Sequence, residues 1–230
     1  MRLQVTESLT GAQRLVALSA VRAMSWTFRP YQPVVVGRRK VASGKRQCAV
    51  RLEAIREVLR DVGADDVRDL GCAEGYFVRS LAEEGYFAWG VEPDGRRLAL
   101  AQLSTAVDGV RGIGFVNALA DVETLAWLPS ADVTISMSVL HHVLYADGVT
   151  AAVDVLRAIR ATTRKALVFE CGQSDEHKFE WAARLPDMGP DPHVWLADLL
   201  IEAGFRDVVK LCEVPSWKAG PARATFRAST

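Results

Sequence analysis

The chain has 230 residues, half of them hydrophobic, which suits one large α/β domain with an additional segment. Lysine and arginine total 28, as do aspartate and glutamate, so the formal net charge is zero. This balance disfavours a protein that binds nucleic acid by attracting its phosphates. No apolar run reaches the roughly 18 residues of a membrane-spanning helix, and residues 1–20 lack the pattern of a secretion signal. Four widely spaced cysteines favour reduced thiols, and we expect a cytoplasmic protein.

The N-terminal segment, residues 1–46, is predicted to be an extension of helix and loop that covers the site of the main domain. Residues 9–24 have apolar side chains at helical spacing, so we expect one helix there. Pro30 and Pro33 follow, and proline breaks helices. Residues 37–46 are basic and rich in turn-forming residues, so we expect a solvated loop.

The main domain is predicted over residues 47–230, where the pattern becomes regular. A first helix begins near Gln47 and ends at Gly63. After it, predicted strands lie at 67–70, 86–91, 113–116, 131–137, 165–169, 205–214 and 222–227. Predicted helices lie at 75–84, 94–106, 148–161 and 194–203. The alternation predicts an α/β fold with a parallel sheet covered by helices on both faces, and the last two strands are close enough for a hairpin.

A short segment between the first strand and the next helix contains two glycines, Gly71 and Gly75. Glycine lets the main chain turn sharply and approach a ligand closely. Glu92 ends the second strand, where a carboxylate can accept hydrogen bonds from ribose hydroxyls. The spacing differs from the dinucleotide pattern GxGxxG. Glu74 inside the loop would repel a pyrophosphate and suit the cationic groups of S-adenosylmethionine (SAM).

The run Asp-Leu-Gly-Cys-Ala-Glu-Gly at 69–75 resembles the first motif of the class I SAM methyltransferases. The resemblance extends from about Gln47 to the C-terminus and departs at Ala73, where the commonest form has glycine. It implies a Rossmann-like, seven-stranded, mostly parallel sheet with a C-terminal antiparallel hairpin, and SAM as the cofactor. The residues that it assigns to the cofactor are Asp69, Gly71, Cys72, Ala73, Gly75, Glu92, Asn117, Ala118, Ser136 and Met137.

Two adjacent histidines, His141 and His142, follow the strand predicted at 131–137. They are expected at the carboxyl edge of the sheet, facing the transferred methyl group. An oxygen nucleophile must lose a proton as it attacks, and a histidine near its unperturbed pKa can take that proton at neutral pH. We predict that one of them, His142 or His141, is the general base. The alternative is that they are structural histidines.

A metal site is a second interpretation of the same turn. Some methyltransferases of this class carry Glu-x-x-Glu-His there and bind a divalent ion. The aligned residues here are Ser138, His141 and His142, so the carboxylates that magnesium prefers are missing. Glu170, after the next strand, could join the two histidines. We therefore predict no required metal and keep magnesium at these three residues as the alternative.

Further runs at 46–52, 138–142 and 166–170 resemble the methyltransferase half of bacterial O-antigen chain-terminating kinase–methyltransferases. They also resemble the mycobacterial sugar 1-O-methyltransferases of methylmannose polysaccharide synthesis. This resemblance implies O-methylation of a saccharide hydroxyl, for example on a mannose oligosaccharide. A sugar pocket uses aromatic faces and fixed polar groups. The candidate acceptor-binding residues are Tyr31, Tyr145, Glu170, His177 and Trp181.

Other function classes remain open from the sequence. One is an O- or N-methyltransferase that acts on a small natural product, and another is a non-catalytic module that only binds SAM. The expected partner is an oligosaccharide or small-molecule acceptor, with neither nucleic acid nor membrane. A homodimer is left open.

Overall fold

The computed structural model describes residues 9–37, 39–44, 47–216 and 220–230. Its strands are β1 (Val34–Val36), β2 (Arg39–Ala42), β3 (Asp66–Leu70), β4 (Phe87–Val91), β5 (Ile113–Val116), β6 (Ala131–Met137), β7 (Thr163–Glu170), β8 (Arg206–Pro215) and β9 (Ala222–Ser229). Its α-helices are α1 (Gly11–Phe28), α2 (Cys48–Asp61), α3 (Tyr76–Glu83), α4 (Gly95–Asp108), α5 (Val122–Trp127), α6 (Leu140–Ala161) and α7 (Pro192–Glu202). A 3-10 helix covers Glu180–Arg184.

The main sheet contains seven strands in the order β5-β4-β3-β6-β7-β9-β8. The strands from β5 to β7 are parallel, whereas β9 runs antiparallel to β7 and β8 runs antiparallel to β9. All seven residues of β6 are buried, as expected for a parallel strand that helices cover on both faces. The predicted α/β class, the parallel sheet and the terminal hairpin are therefore confirmed.

Each face of the sheet packs against its own set of helices. On one face, the buried side chains of α2 and α3, such as Ile55 and Leu81, pack with Leu98 of α4. On the other face, α5, α6 and α7 contribute Leu125, Leu156 and Leu200. The two hydrophobic layers hold β3 and β6 in the centre of the sheet, so the loops that follow these strands start from a rigid frame.

The N-terminal segment packs along α4. Val21 of α1 and Val34 of β1 form a small core with Leu100, and the side chain of Arg14 donates a hydrogen bond to the Val107 carbonyl at 2.8 Å. The predicted helix at 9–24 thus exists as α1 and continues to Phe28. The division of the chain at residues 46 and 47 stays a prediction.

Several elements differ from the expectation. The segment 37–46 was expected to be a loop, but residues 39–42 form β2, which pairs antiparallel with β1. Of that segment, Arg38, Lys45 and Arg46 lie outside the described residues. The short helix α5 has no counterpart among the predicted elements, because its six residues are too few for a clear helical period.

Helix α6 starts at Leu140, eight residues before the predicted start at Gly148. Gly148 has φ 83° and ψ −174°, so the helix kinks there rather than begins there. His141 and His142 therefore lie in the first turn of a helix. Among the described residues, no helix is both long enough and apolar enough to span a membrane.

Candidate functional site

A cavity of about 1020 Å³ lies at the carboxyl ends of β3, β4 and β6. It lies where the sheet exposes the ends of adjacent strands, the usual ligand site in open α/β sheets. Its lining includes eight residues that the sequence pointed to: Tyr31, Gly71, Ala73, Glu92, Met137, His141, His142 and Trp181. The structure thus brings the predicted cofactor loop, the histidines and two aromatic candidates to one place.

The glycine loop turns directly beneath the cavity. Gly71 has φ +74° and Gly75 has φ +75°, and both values favour glycine. The main-chain amides of Gly71 and Cys72 donate hydrogen bonds to the Val91 carbonyl at 2.8 and 3.1 Å. A side chain at position 71 would overlap Val139 at the start of α6. The turn therefore requires glycine both for its backbone angle and for the close approach of α6.

Ala73 adopts the left-handed conformation with φ 48°. This angle is the physical reason why glycine is the commoner residue at this place in the motif. The alanine is buried, and its amide donates a hydrogen bond to the Glu92 carboxylate at 2.9 Å. The departure from the common motif is thus accommodated by the fold.

Glu92 occupies the end of β4 and is held by main-chain donors. One carboxylate oxygen accepts a hydrogen bond from Ala73, and the other accepts one from the Asp94 amide at 2.9 Å. The side-chain amide of Asn117 donates to the Glu92 carbonyl at 2.8 Å and so joins the ends of β4 and β5. Asn117 therefore supports the strand end that carries Glu92. Neither Asn117 nor Ala118 is among the residues that line the cavity.

The carboxylates around the loop fit a ligand that carries hydroxyls and positive charge. Asp69 is buried, and its Oδ2 atom has no hydrogen-bond partner within the described part of the chain. Burial, together with the nearby Glu92 carboxylate, raises the pKa of Asp69. Glu92, which lines the cavity beside the glycine turn, suits the ribose hydroxyls of SAM, and the unpaired oxygen of Asp69 lies behind it. Asp69, Cys72, Gly75 and Ser136 support the loop without lining the cavity.

Glu74 does not face this cavity, contrary to the expectation that it would meet a cationic cofactor. It is buried, and its two oxygens accept hydrogen bonds from the amides of Tyr31 and Gln32 at 2.9 and 2.8 Å. The Gln32 side chain in turn accepts from the Tyr76 amide at 2.9 Å, at the start of α3. Glu74 therefore attaches the N-terminal segment to the glycine loop and places Tyr31 in the cavity wall.

The two histidines differ in their surroundings. His142 is exposed toward the cavity, whereas His141 is buried, and their ring centroids are 4.2 Å apart. Burial and the positive charges of Arg223 and Arg97 lower the pKa of His142 from its ordinary value of 6.5. A lowered pKa favours the neutral form of the His142 imidazole, which is the form that can accept a proton.

Aromatic side chains form the wall opposite the glycine loop. The Trp181 ring lies 4.7 Å from the His141 ring, and Phe179 stacks on Trp181 at 5.3 Å with an interplanar angle of 22°. A side chain at Gly172 would collide with both Trp181 and His141, so glycine there makes the contact between them possible. The wall presents flat apolar faces close to His142.

Three predicted acceptor or metal residues lie outside the cavity lining. The carboxylate of Glu170 is buried and accepts hydrogen bonds from the Arg51 side chain at 2.6 Å and from the Ser138 hydroxyl at 3.1 Å. His177 is exposed, and the Tyr145 hydroxyl bonds the side chain of Arg184. Within the described ranges, no group of three or more histidine, cysteine or acidic residues could hold a metal ion.

Arg223, Arg97 and Phe179 also line the cavity, and sequence reasoning did not single them out. Arg223 lies on β9, at the far end of the chain from the glycine loop. No local pattern marks such a residue, because its place depends on β9 pairing with β7. Phe179 lies two residues before Trp181, and the search for aromatic side chains that selected Trp181 could have selected Phe179 as well.

A mostly parallel sheet that ends in an antiparallel hairpin, with a glycine turn after β3 and an acid after β4, is the arrangement of the class I methyltransferase fold. Residues 68–165 match the family model described as a methyltransferase domain. Two Escherichia coli proteins named O-antigen chain terminator bifunctional methyltransferase/kinase WbdD are 29% and 28% identical over 153 residues. Those 153 residues are 62% of this chain, which spans only 21% of each relative.

Solved structures agree with this class. A crystal structure of WbdD superposes with a TM-score of 0.70 at 24% identity, over 81% of this chain and 41% of that one. The N-terminal domain of EvdMO1 with SAH bound superposes with a TM-score of 0.67 at 20% identity, over 100% of both chains. These comparisons show the class I methyltransferase fold, with residues 68–165 matching the methyltransferase domain family.

Proposed function

We propose that this methyltransferase transfers a methyl group to a hydroxyl of a saccharide, with His142 as the general base. The observation that carries the proposal is the cavity-facing imidazole of His142, which lies next to His141 and the wall formed by Trp181 and Phe179. Aromatic faces with a few fixed polar groups are typical of pockets that bind a specific small ligand. The names of the relatives, an O-antigen chain terminator and EvdMO1 in the presence of SAH and D-fucose, agree with a sugar acceptor.

The cofactor end of the proposed site consists of Gly71, Ala73, Glu92 and Met137, with Asp69 behind them. When bound there, SAM supplies the methyl group as an electrophilic carbon on a sulfonium. Glu92 would accept hydrogen bonds from ribose hydroxyls, and the glycine turn leaves room for the main chain to contact the ligand. A magnesium ion has no place in this proposal, because Arg51 and Ser138 already occupy the carboxylate of Glu170.

At the acceptor end, His142 removes the proton of the hydroxyl as the oxygen attacks, and the proton stays on the imidazole until it is released to solvent. Tyr31 and Trp181, which both line the cavity, would orient the acceptor. Positioning contributes most of the rate in such a transfer, because the oxygen, carbon and sulfur atoms must be collinear. The N-terminal extension, residues 1–46, takes part through Tyr31, which Glu74 fixes by its main chain.

The decisive experiment is a transfer assay with labelled SAM against mannosides, phosphorylated sugars and phenols. We expect product with at least one mannoside. His142→Gln should lower kcat by about 100-fold, within the range measured for removal of a general base. SAH affinity, measured by calorimetry, should remain unchanged in this variant. His193→Gln is the matched control, since His193 lies on α7 outside the cavity lining. Full turnover in His142→Gln would contradict the assignment of His142 as the general base.

A small natural product is the second candidate acceptor. One side of the cavity is apolar, with Leu119 and Val122 near α5 and Val143 and Val155 on α6. Such a surface suits a flat hydrophobic molecule as well as the apolar face of a sugar. In the same panel, transfer to phenols with none to any saccharide would favour this candidate. SAH binding without transfer to any acceptor would instead favour a non-catalytic module.

A further inference from the structure

The wall that carries Trp181 rests on a buried ion pair. The Nε and Nη2 atoms of Arg223 donate hydrogen bonds to the two carboxylate oxygens of Glu176 at 2.7 and 2.8 Å. Both side chains are almost completely buried, with about 1% or less of their surface exposed. Neither residue belongs to the cofactor loop.

The same pair organises the loop between β7 and the 3-10 helix. A Glu176 oxygen also accepts a hydrogen bond from the Gln173 amide at 2.9 Å, so this loop folds around an inward-facing carboxylate. Past Glu176, the Phe179 amide donates to the Glu176 carbonyl at 2.9 Å. The segment that carries Phe179 and Trp181 is therefore built directly on the partner of Arg223.

On its other side, Arg223 reaches the catalytic end of the cavity. Its Nη1 atom donates to the Ser138 hydroxyl at 2.8 Å, just before the first turn of α6. Its guanidinium carbon lies 5.7 Å from the centre of the Trp181 ring. A single side chain thus contacts the aromatic wall and Ser138, three residues before His141.

A buried ion pair seldom stabilises a fold more than apolar residues of the same size would, because both charges lose their hydration. Its geometry can instead fix one arrangement of the groups around it. The bidentate contact has this property, since the planar guanidinium matches the two carboxylate oxygens in one orientation only.

We infer that Arg223 and Glu176 form a positioning pair, which holds Trp181 against His141 and so orients the acceptor relative to His142. The inference rests on the proposed function, because the acceptor is assigned to this wall. Neither residue contacts the reacting atoms in this scheme. Their effect on turnover passes through the wall, through the start of α6, and through the positive charge of Arg223, which lowers the pKa of His142.

The first test needs no acceptor. The Trp181 ring is close enough to shift the proton resonances of the His141 ring, which can be assigned with His141→Gln. Spectra of the SAH complex should show the His141 resonances moved toward their unshifted positions in Glu176→Gln and in Arg223→Lys. The matched control, Arg68→Lys, changes another fully buried arginine that lies away from the cavity lining, and should leave these resonances in place.

The second test uses the best saccharide acceptor. Both variants should lower kcat by about tenfold or more, since small displacements of an acceptor carry large costs in rate. The KM for SAM should stay within about twofold. Glu176→Asp, which keeps the charge, should recover more turnover than Glu176→Gln. Should Arg223→Lys fail to fold, the two Glu176 variants decide the question.

The inference is overturned if the folded variants keep both the His141 resonances and kcat at the values of the unchanged protein. An absence of turnover with every saccharide would contradict the proposed acceptor class instead. The resonance experiment would still decide whether Arg223 and Glu176 orient the wall.

Discussion

Two neighbouring histidines of the same chain have different environments at the site. His141 is buried against Trp181, whereas His142 faces the cavity near two arginines. Because the backbone of α6 turns by about 100° per residue, adjacent side chains point in different directions. The sequence predicted a histidine at this edge of the sheet, but only the helical conformation distinguishes the two. This distinction favours His142 as the base and gives His141 a place in the wall.

The first prediction concerns the pH dependence of turnover. The base must be neutral to accept a proton, and burial with the nearby arginines lowers the pKa of His142 below 6.5. We therefore expect kcat/KM to rise with pH, with a midpoint below 6.5 and a plateau through pH 7. In His142→Gln this acid limb should disappear from the residual activity. A midpoint clearly above 6.5 would contradict the environment described for His142.

The second prediction concerns Gly71. Alanine there would be strained by its φ of +74° and would overlap Val139. We expect Gly71→Ala to lower the free energy of unfolding by about 2–3 kcal/mol and to weaken SAH binding at least tenfold.

Gly63→Ala is its control, since Gly63 has φ +56° with no atom within 4 Å of an added Cβ. That substitution should cost only about 1 kcal/mol and leave SAH affinity unchanged. Chemical denaturation and calorimetry measure both quantities. Equal SAH affinity in the two variants would mean that the close approach of α6 does not shape the cofactor site.

Site residues on strand ends were predictable because a strand and the turn after it are local features. Gly71, Glu92 and His142 follow this rule. Glu74 was correctly predicted to lie in the loop. The direction in which its side chain points depends on the N-terminal segment that packs against it. Arg223 enters the site through the pairing of strands far apart in sequence, and no pattern in its own neighbourhood reveals that pairing.

At the scale of elements, the N-terminal segment is bound to the methyltransferase core by polar contacts as well as apolar ones. The Gln32 side chain accepts a hydrogen bond from the Tyr76 amide, in the first turn of α3. This turn has no side-chain cap of its own, because the residue at its start is Gly75. Gln32 therefore acts as a cap supplied by another part of the chain.

The third prediction follows from this cap. Gln32→Ala should leave the Tyr76 amide without its partner and lower the free energy of unfolding by about 1 kcal/mol. Proteolysis should become faster within residues 29–46, since the segment loses one attachment to the core. Gln102→Ala, on the exposed side of α4, is the control and should change neither quantity. Unchanged proteolysis in Gln32→Ala would show that the other contacts of the segment, among them those of Glu74, hold it without this cap.

The regular elements of the core were predictable, and the irregular ones were not. Strands β5 and β6 agree residue for residue with the prediction, because each is a short, mostly apolar run bounded by turn signals, although β6 is buried and the edge strand β5 is half-buried. The hairpin of β1 and β2 was not predicted, because it is short, partly polar and stabilised by packing on α4. Helix α6 was predicted to begin at Gly148 because glycine usually marks an end, whereas here it marks a kink.

For the molecule as a whole, the carboxyl and amino edges of the parallel sheet differ in function. The carboxyl edge holds the cavity, and the amino edge holds a cluster of charges around Asp132 at the start of β6. One Asp132 oxygen accepts a hydrogen bond from Arg164 at 2.8 Å, and the other accepts from Lys165 at 3.0 Å and from the Asp65 amide at 2.9 Å. The cluster joins β3, β6 and β7 at the edge of the sheet opposite the cavity.

The last prediction follows from the distance between the Asp132 cluster and the cavity, which lie at opposite edges of the sheet. Burial alone would raise the pKa of Asp132, but hydrogen bonds from Asp65, Arg164 and Lys165 outweigh it and lower the pKa from 3.8 to about 2. A carboxyl with a lowered pKa stabilises the fold above its unfolded value, and this stabilisation is lost as the pH falls through the folded value. Asp132→Asn should therefore lower the free energy of unfolding at pH 7 by about 1–2 kcal/mol, reduced by the partial exposure of Arg164.

The difference between Asp132→Asn and the unchanged protein should be constant from pH 7 down to about pH 4 and should shrink between about pH 4 and 2. Urea unfolding at a series of pH values measures it. SAH affinity and kcat at pH 7 should be unaffected, because Asp132 lies at the edge away from the cavity. If the variant lost SAH binding while staying folded, the two edges would be coupled through β3 and β6, and the central strands could no longer be treated as a rigid frame for the site.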